Sequence, residues 1–212
     1  MANEGIIDLL SDRAMLRRLY APPAETFSMV DVPKLPFAVW TGDGVPEQQS
    51  VSAVIKDLYT AIYPIRRKAR ERMGKSFVEP PVELLYWADD MRDLSAGHRK
   101  NWRWRVQISL PVWINAEGLE ESAAEMRQEL KDAASQALHW EAFAEGKCVQ
   151  ALYVGQTSGL PVMLDKLYRE YLPEQGLEPS GPYHEIYLDD WSRVAPAKRK
   201  MILRQPVRAL PK

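Results

Sequence analysis

Three features of the sequence predict an α+β fold with an antiparallel-type sheet. Segments alternating apolar and polar residues with a period of two recur along its 212 residues. Amphipathic stretches with helical period stand between them. The order strand–helix–strand–strand occurs twice, which gives two pseudo-symmetric βαββ units with helices on one face of the sheet.

Ile6, Leu9, Leu10, Leu16 and Leu19 carry a helical period and predict a leading helix over 6–20, within an extension of 1–25. "TFSMVDVPKLPFAVWTGDG" gives two short strands around Pro33 and Pro36. A helix over 47–72 follows Pro46, with Val51, Val54, Ile55, Leu58, Ile62 and Ile65 on one stripe. "VELLYWA" and "WRWRVQISLPVWI" read as strands separated by the polar loop "DDMRDLSAGHRKN", closing a first unit of about 26–114. The charged stretch 115–146 is predicted as a connecting helix over 116–144. A second unit of about 147–208 then repeats the order: strand Cys148–Gly155, a helix near 160–172, strand "YHEIYLDD" and last strand "KMILRQPV".

Composition narrows the function. Hydrophobic and charged fractions of 46% and 27% belong to a soluble globular domain, and a net charge of −1 supplies no field for nucleic acid or an anionic membrane. The basic runs Ile65–Lys75 and Ala197–Arg208 read as a solvated helix end and a charged edge strand. A single cysteine, Cys148 among apolar residues, excludes an internal disulfide framework and fits a reducing cytoplasm. The acidic N-terminus lacks a signal-peptide core, and no apolar run approaches the ~20 residues of a membrane span. A cytoplasmic location is expected. The three histidines stand singly, and "GDG" and "GQTSG" lack phosphate-loop or serine-elbow spacing. No metal, nucleotide or other cofactor is therefore expected.

The chemistry concentrates in aromatics and one carboxylate. Seven tryptophans and nine tyrosines fall largely at strand positions, with flat bodies and polar tips suited to a cleft for planar ligands. Trp40, Tyr86, Trp87, Trp104, Tyr153 and Tyr183 lie on strands; Tyr59 and Tyr63 are one helical turn apart. In "GPYHEIYLDD", Tyr183, Glu185, Tyr187 and Asp189 point one way, and His184, Ile186 and Leu188 the other. Periodicity leaves two readings of Glu185: a solvated face paired to an arginine, or a carboxylate among phenol rings in a ligand cleft.

"HEIYLDD" followed by "KMILRQPV" resembles the C-terminal signature of the GyrI-like small-molecule-binding family. "LYTAIYPIR", "PVELLYW" and "WRWRVQISLPVWI" resemble its helix segment, its Trp-rich strand and its Trp-x-Trp strand, in order over about 25–208. The resemblance implies duplicated SHS2 (βαββ) units with a ligand cleft between them, and it places Glu185 as the ligand-contacting glutamate. Relatives include drug-responsive regulators, gyrase inhibitors, free-standing drug binders and hydrolases that open the cyclopropane of DNA-alkylating cyclopropanoid compounds. The segment before residue 25 is too short for a helix-turn-helix domain, so a free-standing member is expected. "YVGQTSGLP" departs from the family's His-x-Gly-Pro-Tyr-x-x-Glu-Pro. Tyr153 stands for the histidine and Leu160 for the glutamate, which leaves Glu185 as the sole cleft carboxylate implied.

The resulting expectation is a hydrolase of the cyclopropanoid type. Glu185 would activate water, with Tyr187, Tyr59 or Tyr63 as donor to the developing phenolate. Trp40, Tyr59, Tyr63, Tyr86, Trp87, Trp104, Tyr153 and Tyr183 would contact a planar aromatic small molecule. The rival readings are a non-catalytic drug-sequestering protein and a gyrase-inhibitor-like interaction protein.

Overall fold

The computed structural model describes residues 5–24, 26–44, 48–88, 102–130, 137–190 and 193–211. Two compact units emerge: Met1–Arg13 with Pro33–Ala144, and Ala14–Val32 with Glu145–Lys212. The described elements in chain order are α1 (Arg13–Tyr20), β1 (Ser28–Val32), β2 (Leu35–Asp43), α2 (Gln48–Ala61), α3 (Tyr63–Met73), β3 (Val82–Trp87), β4 (Arg103–Ser109), α4 (Ala116–Glu125), β5 (Leu138–Phe143) and β6 (Gly146–Val154). Then come α5 (Leu160–Lys166), a π-helical turn (Leu167–Tyr171) and a last turn (Leu172–Glu174), which together form one composite helix. β7 (Leu177–Pro179), β8 (Tyr183–Tyr187) and β9 (Lys200–Ala209) complete the chain.

The βαββ duplication is visible in the pairing. In the first unit β2 pairs with β4, and β4 with β3. In the second, β6 pairs with β9, and β9 with β8. All these ladders are antiparallel, as predicted. Further strands extend each unit: β5 joins β2 in the first, while β1 joins β6 and the short β7 joins β9 in the second.

Several boundaries differ from expectation for local reasons. The leading helix begins only at Arg13, because Ser11 folds back on Asp8 through a 2.6 Å side-chain hydrogen bond and makes a turn. The predicted helix 47–72 is two helices, α2 and α3. Pro64, near the start of α3, has no N–H to offer the preceding turn. The predicted helix 116–144 ends at Glu125, and 138–143 is instead strand β5 on β2. Residues 131–136 and most of the loop after Ala88 lie outside the described residues. The basic run ending at Arg208 is no edge: β9 lies between β6 and β8. The run Ile65–Lys75 is the charged helix end expected, with Arg66 and Arg70 both paired to Glu79.

In the first unit, Ala38, Leu84, Val106 and Ile108 make one apolar sheet face, shared by Trp40, Tyr86, Trp104 and Trp140. Gly42 sits directly opposite Trp104, and a Cβ there would lie 2.3 Å from the indole Cζ2. Only glycine lets the ring lie on the β2 backbone.

In the second unit both sheet faces carry helix. The composite helix packs Leu167 and Leu172 on Val149 and Val207. α1 takes the opposite face, where side chains seize its C-terminal carbonyls. Arg204 Nη2 donates to Leu19 O at 2.7 Å, and Gln150 Nε2 to Arg18 O at 2.8 Å. Cations and donors at a helix C-terminus complement its exposed carbonyls. Arg204 is almost fully buried, so its charge needs a partner, and Glu145 supplies it at 3.2 Å. His184 Nδ1 meets the other Glu145 oxygen at 2.9 Å, and Arg204 Nε donates to Gln150 Oε1. Burial alone would raise the Glu145 carboxyl; His184 and Arg204 outweigh it and hold it at about 2.

Glu145→Ala, which strands two buried bases, should cost about 3–5 kcal/mol in urea unfolding. The folded Glu145 pKa lies below its ordinary 4.5, so its stabilisation is complete above that value and drains away as pH falls toward about 2. The stability gap between the natural protein and Glu145→Gln should therefore shrink over that interval. A gap that stays constant would contradict the pairing. Gly42→Ala should cost about 1–3 kcal/mol and shift the Trp104 indole N–H resonance. An unmoved resonance with unchanged stability would refute the close contact.

Candidate functional site

The sheet register decides where the signature strand points. His184 lies opposite Arg204 and Ile186 opposite Ile202, on the face that α1 covers. Glu185 lies opposite Leu203, and Tyr187 opposite Met201, on the other face. The family resemblance turns the Tyr–Glu–Tyr side toward the ligand, which leaves the His184–Ile186–Leu188 side to packing. The packing side has a polar centre in place of a purely aliphatic one, namely His184 with Glu145 and Arg204. The Tyr–Glu–Tyr side lies on the face over which the composite helix runs, because Gln205 and Val149 share it and Tyr168 Oη donates to Gln205 Oε1 at 2.6 Å.

Glu185 is 9% exposed, so it does not lie on a solvated face. Tyr187 Oη donates to Glu185 Oε2 at 2.6 Å, two residues along the same strand face. A hydroxyl at that distance from a carboxylate makes a charge-assisted bond that fixes both side chains. Tyr183, buried, precedes them on the same face. Tyr153 occupies the same row as Tyr187, with Met201 between them. Its hydroxyl donates to Gln156 O at 2.6 Å, which anchors the "GQTSG" turn over the ring. A Cβ at Gly159 would lie 2.2 Å from that hydroxyl, so this turn closes only with glycine. The second unit thus gathers Glu185, Tyr187, Tyr183 and Tyr153 on one face.

The remaining candidates belong to the first unit. Trp40, Tyr86 and Trp104 share its apolar face, and Tyr86 meets Trp102 edge-on at 6.1 Å. Trp87 points to the opposite face. Tyr59 on α2 lies under the Arg66 guanidinium at 4.8 Å, and Tyr63 at the start of α3 is exposed.

Sequence reasoning missed the buried polar groups. Besides Glu145, His184 and Arg204, the first unit holds a chain on the Trp87 face. Gln107 donates to Glu83 at 2.6 Å, Arg105 Nε donates to Gln107 at 2.8 Å, and Arg105 Nη1 reaches Glu141 at 3.1 Å. Glu83 and Gln107 are fully buried. Alternation of Glu83 with Leu84 and of Gln107 with Ile108 was the available signal. Cys148 is the packed thiol expected, and burial pushes its pKa well up. Among the described residues no cluster of three or more metal-ligating side chains occurs, and no helix is long and apolar enough to cross a membrane.

The chain is similar to three solved structures from Listeria innocua. One is an uncharacterised conserved protein at 28% identity and TM-score 0.76, covering 91% of this chain and 96% of that one. The others are described as hydrolases. One has 26% identity and TM-score 0.74, covering 92% and 98% of the two chains; the other has 27% and 0.73, covering 91% and 96%. No curated protein matches at a significant level. The model of the GyrI-like small molecule binding domain matches residues 25–208. With nearly its whole length matched and the βαββ unit present twice, this chain belongs to the GyrI-like small-molecule-binding family.

Proposed function

We propose that the protein binds flat, hydrophobic polycyclic molecules and hydrolyses the cyclopropane of DNA-alkylating cyclopropanoid compounds, a detoxifying reaction. The observation that carries this reading is the low-exposure Glu185 carboxylate held by the Tyr187 hydroxyl among further tyrosines. Supporting it are membership of a small-molecule-binding family and likeness to Listeria proteins described as hydrolases. In the proposed reaction Glu185 takes a proton from water, and the water oxygen bonds to the strained ring carbon. The cyclopropane C–C bond breaks, and its electron pair moves through the dienone to oxygen. The resulting phenolate recovers the proton, so the balance is addition of one water. Aromatisation of the product drives the opening, which leaves the protein to supply orientation and modest acid–base help.

Because Tyr187 already donates to Glu185, its proposed part is to orient the base rather than to bind the phenolate. Tyr153 and Tyr183 are proposed ligand contacts of the second unit. Trp40, Tyr59, Tyr63, Tyr86, Trp87 and Trp104 are those of the first. The rival reading, sequestration without turnover, draws on the same carboxylate as counter-charge to a planar cation.

Purified protein incubated with a cyclopropanoid compound should yield ring-opened product over many turnovers, followed by chromatography. Loss of one equivalent of compound per protein and no more would favour sequestration. Glu185→Gln should lower kcat by about 10²-fold or more while neutral planar ligands still bind within about threefold. Tyr187→Phe, which keeps the ring and removes the orienting bond, should lower kcat by about tenfold. An unaltered rate in Glu185→Gln would remove its assigned role.

A further inference from the structure

The second unit contains a cavity that the proposed reaction does not use. It holds about 290 Å³ and lies between α1, the segment Ala21–Pro23, β1 and β6. Its walls are Ala14, Ala21, Pro22, Pro23 and Val30, with Met29 at the rim and Gln150 behind. Ser28, Val30 and Gln150 share the sheet face of His184, so this cavity sits on the opposite side of the sheet from Glu185.

The hollow is open, with Ala14, Arg17, Arg18, Ala21 and Pro23 exposed, and two of its properties bear on binding. Its walls are held in place: Gln150 and Arg204 grip the α1 carbonyls, and Leu152 N donates to Pro23 O at 3.2 Å. The Gln150 amide is spent on Arg18 O and Arg204, so it is wall and not ligand contact. Among the described residues, Arg17 and Arg18 both line the cavity, no acidic side chain does, and neither guanidinium has an ionic partner. A planar guanidinium offers a fork to a carboxylate and a flat face to a ring. A volume near 300 Å³ is at the small end of ligand pockets.

We infer that this cavity takes a compact aromatic carboxylate of one or two rings. The apolar body rests on Pro22, Pro23 and Val30, and the carboxylate meets Arg17 and Arg18. The site is independent of Glu185 and of the proposed hydrolysis.

The test is a 1H–15N titration of the full chain with 2-naphthoate, with neutral 2-naphthamide as control. Amide shifts should cluster in Ala14–Ala21 and Ser28–Val30 and saturate with a Kd of about a millimolar. The amide should bind about tenfold more weakly, because it lacks the charge. The exposed double substitution Arg17→Glu with Arg18→Glu should weaken 2-naphthoate about tenfold or more, with the rest of its spectrum unchanged as proof of folding. Arg17→Gln with Arg18→Gln is the milder variant if that spectrum changes. Glu185→Gln should leave 2-naphthoate binding as it is. Shifts centred on Tyr183–Tyr187, equal binding of the amide, full binding by either arginine variant, or no saturable shifts would each overturn the assignment.

Discussion

The buried charge of Arg204 organises the second unit. One guanidinium ties four places in the chain: Nη1 to Glu145 just before β6, Nε to Gln150 within β6, Nη2 to the carbonyl end of α1, and its own strand β9 between two neighbours. Removing such a cation from water is expensive unless every donor is met, so these partners cannot drift independently. His184 joins the same carboxylate from β8. That contact has a consequence one residue further on. In a strand, adjacent side chains point oppositely, so seating His184 at Glu145 forces Glu185 and Tyr187 to the other face. The side chain proposed to do chemistry is aimed by the side chain next to it.

This arrangement separates tasks across one sheet. On the α1 face lie the paired charges, whose satisfaction fixes register. On the other face, rows of Tyr187–Met201–Tyr153 and Glu185–Leu203–Ala151 set the carboxylate beside apolar and phenolic side chains. The ring and hydroxyl of Tyr153 sit under the "GQTSG" turn and demand glycine at 159.

Much of the fold was legible because its signals are local. Alternation marked β3, β4, β6, β8 and β9, and the duplicated order of elements gave the two βαββ pairings. What escaped was long-range or exceptional. Glu145 pairs with residues 39 and 59 positions away, and no spacing rule links them. The charged sequence of β9 resembled an edge because its arginine and glutamine are buried by partners, not by solvent exclusion of apolar groups. Helical period continued past Pro64 and into 138–143, but a missing N–H and pairing with β2 outranked it. Glu185 could be singled out from its phenol neighbours; its bond to Tyr187 could not, since alternation places both on one face without fixing rotamers.

In the proposed reaction Glu185 delivers water to a strained ring. Turnover of a cyclopropanoid compound in 18O-labelled water, with mass analysis of the product, tests it most directly. The product should carry one 18O atom per molecule, on the former ring carbon, and should form in amounts well beyond the protein present. Unlabelled product, or labelled product formed no faster than without protein, would contradict it.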